Sequence, residues 1–167
     1  MIKERELELA KNHIKKYGAT DFFFRSFEFD ILFKYWEEIK EKIQKEKPHC
    51  VQTYCVKKPQ EGYRIVQRLD PINAIQYVAM TFAVAEKIEI NRANENIACS
   101  YRIDINKEGQ LYKDNGAFNN YNDAAINLAK RNRYVLKTDI SDFYNQIYLH
   151  RIENIIDTCT KDSKLAK

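Results

Sequence analysis

Apolar residues recur at helical intervals through the first part of the chain. Over residues 2–17, Leu7, Ala10, Ile14 and Tyr17 fall three or four apart, acids lead, lysines trail and Gly18 offers a stop, which together predict a helix. Residues 21–33 are crowded with Phe22, Phe23, Phe24, Phe27, Phe29 and Phe33. Leu32, Trp36, Ile39 and Ile43 continue the helical interval, with Glu38/Lys42 and Glu41/Lys45 outside, so a second helix is expected to run to Lys47 and end before Pro48. The aromatics either pack into a core or offer a platform on which bases stack.

The period shortens after Cys50. Val51, Tyr54 and Val56, then Tyr63, Ile65 and Val66, form two strand-like runs around Lys57-Lys58-Pro59-Gln60-Glu61-Gly62, a hairpin with a basic tip. Asp70-Pro71 is a strong helix start, Asp as cap and Pro in the first position, and residues 72–88 are apolar on nearly all sides, so this helix is expected to be buried. A short strand is expected over residues 99–103, an Asn/Gly-rich loop through Asn120, and a helix from Asp123 to Asn132. Residues 134–140 then read as an apolar strand that delivers Asp139 at its end.

Composition narrows the class. Of 167 residues, 44% are hydrophobic and 13% aromatic, against four glycines and three prolines, which excludes disordered and collagen-like chains and allows one folded domain or slightly more. No run approaches the roughly 18 uninterrupted apolar residues of a membrane span, and the opening Met-Ile-Lys-Glu-Arg-Glu lacks the apolar stretch of a leader, so a cytoplasmic protein with no membrane partner is expected. The 28 Lys and Arg exceed the 24 Asp and Glu by a net charge of +4, compatible with a phosphate-rich partner without requiring one. Four cysteines without a leader point to thiols rather than disulfides. Cys50 and Cys55, beside His49, would face opposite sides of a strand, and no second pair completes a zinc site.

The chemistry concentrates after Tyr134. A carboxylate at the exposed end of a buried strand can reach metal and solvent together, and Asp139 has the Ile140 carbonyl beside it as a second hard oxygen. Asp142, Phe143 and Tyr144 follow in a turn or short helical start. On the residues alone, Asp139 and Asp142 serve equally well as caps of the helix that follows.

The string Asp139-Ile140-Ser141-Asp142-Phe143-Tyr144-Asn145-Gln146-Ile147-Tyr148 resembles the first catalytic motif of reverse transcriptases of the retron, group II intron and abortive-infection branches, in which an aromatic follows the Asp by five residues and an aliphatic by eight. Tyr144 and Ile147 fill those positions, and Ile147-Tyr148-Leu149-His150 is most similar to the abortive-infection and phage-defence members. Upstream, Val56-Lys57-Lys58-Pro59-Gln60-Glu61-Gly62-Tyr63-Arg64-Ile65-Val66 resembles the fingers hairpin of that family, and the helix opened by Asp70-Pro71 with Ile75-Gln76 resembles its next block. The resemblance covers residues 50–156.

It implies an α+β fold, the fingers of a right-hand polymerase with the first strand and helix of the palm, in three regions: a helical region at 1–48, fingers at 49–132 and the start of the palm at 133–167. It also implies that Asp139 is catalytic and, with the Ile140 carbonyl, ligates Mg²⁺. Tyr144 would close the sugar pocket against a 2′-hydroxyl. Arg64 would clamp the triphosphate, with Lys57 or Lys58 neutralising charge. The implied partners are dNTPs, an RNA template and a DNA product, in bacterial anti-phage defence. Ser100-Tyr101-Arg102 is similar to an element of the defence branch without a chemical role that the sequence supplies, and His150 reads as a packing or template-side residue.

The family's second acid pair, in a Tyr-x-Asp-Asp turn, has no counterpart here; Tyr121-Asn122-Asp123-Ala124 lacks the second Asp and precedes Asp139. Two-metal catalysis needs acids on both sides of the ions, so the chain is expected to be the N-terminal part of a longer enzyme and inactive alone. The alternative is a non-catalytic nucleic-acid-binding module that keeps the basic fingers surface. An accidental match within a helical interaction protein is the third reading.

Overall fold

The structure, a computed structural model, describes residues 2–20, 25–45, 51–58, 62–95, 100–113, 117–141 and 143–163; the side chains of Ala117, Tyr144 and Asn145 also lie outside the described set. Along the chain run α1 (Glu4–Tyr17), α2 (Glu28–Lys34), α3 (Trp36–Lys45), β1 (Gln52–Lys57), β2 (Tyr63–Arg68), α4 (Pro71–Asn91), α5 (Ala117–Arg131), a 3₁₀ turn (Phe143–Gln146) and α6 (Leu149–Thr160). The fold is thus α+β, with helices and one antiparallel two-stranded hairpin. No helix among the described residues is long and apolar enough to cross a membrane. The chain divides into two compact units, Met1–Ala83 with Asn106–Gln110, and Val84–Ile105 with Leu111–Lys167.

The core of the first unit follows from the helical periodicity. Leu7, Ala10 and Ile14 of α1 meet Phe29 and Phe33 of α2, Trp36 and Ile43 of α3, and Ala74, Ile75 and Ala79 of α4. Phe29 stacks on Phe33 at 5.9 Å between ring centres, and Trp36 meets Phe33 edge-on at 6.1 Å. These aromatics are core, whereas Phe22, Phe23 and Phe24 lie outside the described residues. The indole N–H of Trp36 donates to the Glu8 carboxylate, and Lys11 lies over the same ring at 4.8 Å.

The helix expected to continue to Lys47 is instead interrupted at Tyr35, whose φ of −104° and ψ of 33° leave the helical region. No Gly or Pro marks that bend in the sequence. At α1 the helix starts where the Lys3 N–H donates to Glu6 Oε2 at 2.8 Å, and it stops at Gly18, at φ 83°. Asp70 caps α4 as expected, its Oδ1 accepting from the Ile72 N–H at 2.9 Å. The apolar sequence of α4 is only partly buried: Ile75, Ala79 and Phe82 are inside, while Tyr77 and Ile90 are exposed. Helix α5 begins six residues before the expected Asp123, taking in Asn119 and Asn120, weak helix formers that disguise its first turns in the sequence.

The strand expected over residues 99–103 reduces to a single bridge, Ile103 to Tyr112, with Cys99 outside the described residues. The tip it leads to is a tight turn. Asn106 Oδ1 accepts from the backbone N–H groups of Glu108 and Gln110, both at 3.0 Å. This tip docks on α1: His13 Nδ1 lies 2.8 Å from the Gly109 carbonyl, and Lys16 pairs with Glu108 at 3.0 Å. Gly109 is buried at φ 80°, and a Cβ there would sit 2.5 Å from the His13 nitrogen and 2.7 Å from the Leu9 carbonyl oxygen. The atoms it would meet are helix backbone of α1, which does not yield. Gly109→Ala is therefore expected to lower the stability of the chain by about 1–3 kcal/mol in chemical denaturation, through strain and undocking of the turn.

A charged clasp joins α1 to α3. Lys40 Nζ lies 2.6 Å from Glu4 and 2.7 Å from Glu37, and its hydrogen bond holds the Glu37 carboxyl below its ordinary 4.5. The Lys40 ammonium is correspondingly raised, first through Glu37 and then Glu4. A carboxyl depressed in the folded state adds stability above its unfolded pKa and loses it as pH falls through the folded value. Lys40→Met is expected to flatten the fall of the thermal midpoint on acidification below about pH 4.5, as measured by circular dichroism.

Candidate nucleic-acid interface

The hairpin fixes where its cations point. Gln52 pairs with Arg68, Tyr54 with Val66, Val56 with Arg64 and Lys57 with Tyr63, and Lys58 N–H closes onto the Gly62 carbonyl at 3.0 Å. Gly62, at φ 86°, takes a left-handed backbone that a side chain resists. Paired residues share a face and neighbours alternate. Arg64 therefore stands with Val56, Tyr54 and Val66, and the Tyr54 hydroxyl donates to Gln52 on that face at 2.6 Å. Lys57 stands on the opposite face with Tyr63, Ile65 and Cys55, all of them exposed. Lys58, one residue on, returns to the side of Arg64 by alternation.

The two faces differ in burial. Val66 is buried on the Arg64 face, whereas Tyr63 and Ile65 are 69% and 75% exposed on the other. The sequence treated Lys57 and Lys58 as equivalent; the register separates them. Pro59, Gln60 and Glu61 at the tip lie outside the described residues.

The second unit holds Asp139 and Ile140. Residues 134–140 do not form the expected strand. They carry no regular structure, and Tyr134 and Leu136 are 81% and 89% exposed. The reason is pairing: a strand needs a neighbour for its N–H and C=O groups, and the hairpin is the one sheet among the described residues. Asp139 is exposed, and its Oδ1 accepts from the Ile140 N–H at 2.9 Å. The expected turn after it is present as the 3₁₀ turn, followed by α6. Asp142 and the Tyr144 side chain lie outside the described residues.

These donors do not by themselves fit the implied Mg²⁺. Among the described residues no three acids, histidines or cysteines come together as a metal-holding group. One carboxylate and a neighbouring carbonyl leave most of a divalent charge uncompensated. His150, at the start of α6, pairs with Glu153 at 2.9 Å and meets Tyr148 edge-on, a surface arrangement of the helix start.

Sequence reasoning missed one cluster. Glu89, near the end of α4, receives Arg102 Nε at 2.5 Å on one oxygen and Arg92 Nη1 at 2.9 Å on the other, with the Ile103 N–H at 3.1 Å. Arg92 also donates to the Tyr101 carbonyl at 2.7 Å and to Ser100 Oγ, and Arg102 donates to the Ala93 carbonyl at 2.8 Å. Ser100-Tyr101-Arg102 thus has a mechanical role, tying the segment after α4 back to the helix end. Its signal in sequence is weak, because the carboxylate and Arg102 are far apart along the chain.

No protein-family model matches the chain, and neither does any curated protein or solved structure. The residues and their geometry alone bear on function.

Glu89→Gln is expected to cost about 1–3 kcal/mol, since it leaves two partly buried guanidiniums without their shared anion. Tryptic cleavage after Arg92 and Arg102 should accelerate in the variant. Cleavage at the wild-type rate would show that the cluster is decorative.

Proposed function

We propose that the chain is the N-terminal part of an RNA-directed DNA polymerase of the reverse-transcriptase type, of the kind used in bacterial anti-phage defence. The observation that carries this reading is the run from Tyr134 to Ile147: a segment with the composition of a buried strand, ending at Asp139 and followed by an aromatic and an aliphatic at the motif's spacing. Its bare exposure supports the same reading. Amphipathic α5 and α6, with Phe118, Tyr121, Leu149 and Ile155 exposed, flank a segment with exposed Tyr134, Val135 and Leu136 that has no sheet partner among the described residues. Surface of that kind marks an interface in wait of a larger assembly rather than a finished exterior.

In this reading the hairpin is the fingers element, and Arg64 with Lys58 on one face meets the triphosphate of an incoming dNTP. Lys57 contributes charge from the other face. Tyr144 excludes the 2′-hydroxyl, and Asp139 with the Ile140 carbonyl supplies one side of an Mg²⁺ site that needs further acids from a longer enzyme. The chain is expected to bind Mg²⁺ only in the millimolar range, and the protein works in the cytoplasm on an RNA template.

The second reading, a binding module without catalysis, draws on Lys130 and Arg131 at the end of α5 and Arg133 just beyond it. The two readings part in one experiment, primer extension on an RNA template by the product of the native gene with all coding sequence that follows. The polymerase reading expects dNTP incorporation that Asp139→Ala abolishes. It expects Tyr144→Ala to relax dNTP over rNTP selection by about 10- to 200-fold with dNTP use retained. RNA binding without extension, unaffected by Asp139→Ala, establishes the module instead.

A further inference from the structure

A depression on the first unit, about 390 Å³ in volume, is lined by Lys15 of α1, Arg25 ahead of α2, and Asp30, Phe33 and Lys34 of α2. That volume is within the range of small-ligand sites. Its charge is unbalanced: three cations face one carboxylate, an excess of two positive charges. Asp30 is already engaged by Arg25 Nη1 at 2.7 Å. Neither Lys15 nor Lys34 has a carboxylate within ion-pair distance among the described residues. Their ammonium groups lie instead over aromatic rings, Lys15 at 5.4 Å from the centre of Phe33 and Lys34 at 5.4 Å from that of Tyr35.

Placement at helix ends explains part of this. Lys15 and Lys34 belong to the last turns of α1 and α2, where cations complement the unpaired carbonyls. It does not explain why a third cation, from outside both helices, lines the same hollow, nor why the floor is the buried ring of Phe33. Like charges gathered in one concavity repel one another unless an anion enters. A guanidinium fork beside two point-charge ammoniums suits the several oxygens of a phosphate better than a single carboxylate.

We propose that Lys15, Arg25 and Lys34, set around Phe33, form a binding site for a phosphate group carried by a nucleotide or a nucleic-acid backbone. The site stands apart from the hairpin and does not depend on the polymerase reading. Asp30 is its internal competitor: in the empty site it holds Arg25, and an entering phosphate takes that guanidinium over. Removing the Asp30 charge therefore strengthens binding.

The single tryptophan is a local reporter, since Trp36 meets Phe33 edge-on at 6.1 Å. Pyrophosphate is titrated into the full chain at low salt, with sodium sulfate at matched ionic strength as control. The proposal expects a saturable change in Trp36 emission, weakened about tenfold or more by Lys15→Ala with Lys34→Ala and tightened by Asp30→Asn. Lys42→Ala with Lys45→Ala removes the same charge from α3 and is expected to leave the titration unchanged.

A 12-nucleotide single-stranded RNA then identifies the source. Competition with pyrophosphate assigns the site to a nucleic-acid backbone, with a salt slope that falls by about 1.4 in the Lys15/Lys34 variant. Pyrophosphate binding without competition assigns it to nucleotide phosphates. No saturable response, a response equal to that of sulfate, or equal weakening by the α3 variant overturns the proposal. Lys15 and Lys34 are exposed, so their replacement leaves the core intact, and circular dichroism verifies this.

Discussion

The first unit depends on one buried polar contact. Gln76, on the inward face of α4, donates its side-chain amide to the Ile43 carbonyl near the end of α3, and its own oxygen accepts from Asn73 Nδ2 at 2.9 Å. A helix end inside a core leaves carbonyls that only another donor can satisfy. Gln76 supplies that donor, and in doing so ties α4 to the last turn of α3. Ile75 and Ala79, on either side of it, belong to the same apolar cluster as Leu7 and Ile14 of α1. An apolar residue at 76 would bury as much surface and fix nothing.

The opposite condition governs residues 134–140. There Tyr134, Val135, Leu136 and Ile140 are apolar, yet no strand among the described residues pairs with their backbone, and side-chain hydrophobicity alone does not make a strand. The contrast between the units is one of backbone accounting. Helices satisfy their N–H and C=O groups within one segment and can stand before anything packs on them, so α5 and α6 form although their apolar faces are exposed. A strand borrows its hydrogen bonds from elsewhere. The hairpin stands because β1 and β2 lend them to each other across a short turn.

That difference also decides what the sequence could reveal. The three-to-four spacing in α1, the Asp70-Pro71 start of α4 and the alternation around Gly62 are local, and each is realised where the pattern places it. The bend at Tyr35 left no mark because neither Gly nor Pro makes it. The early start of α5 was hidden because Asn119 and Asn120 carry a turn-like signature into a helix. The side chains of residues 134–140 suggest a strand, but a strand depends on a neighbour that no local pattern encodes. Within the candidate site, the basic residues could be named, but which of them share a face could not, since one step in register exchanges Lys57 for Lys58 beside Arg64.

The positive charge is arranged by the same logic. Arg92 and Arg102 are consumed by Glu89, and Lys40 by Glu4 and Glu37, so these cations are structural, each tied to a named carboxylate. A net charge of +4 conceals this division. Once the structural cations are set aside, a positive excess remains around Phe33, while Lys57 and Lys58 stand exposed on opposite faces of the hairpin. A cation fastened into such a network gains little from a phosphate, unlike Arg25 with its single carboxylate, because the new contact must replace several old ones. Lysines that rest on aromatic rings give up far less on binding. Recognition of a polyanion by this chain therefore falls to cations outside those networks, among them Lys15 and Lys34, whose ammonium groups rest on aromatic rings.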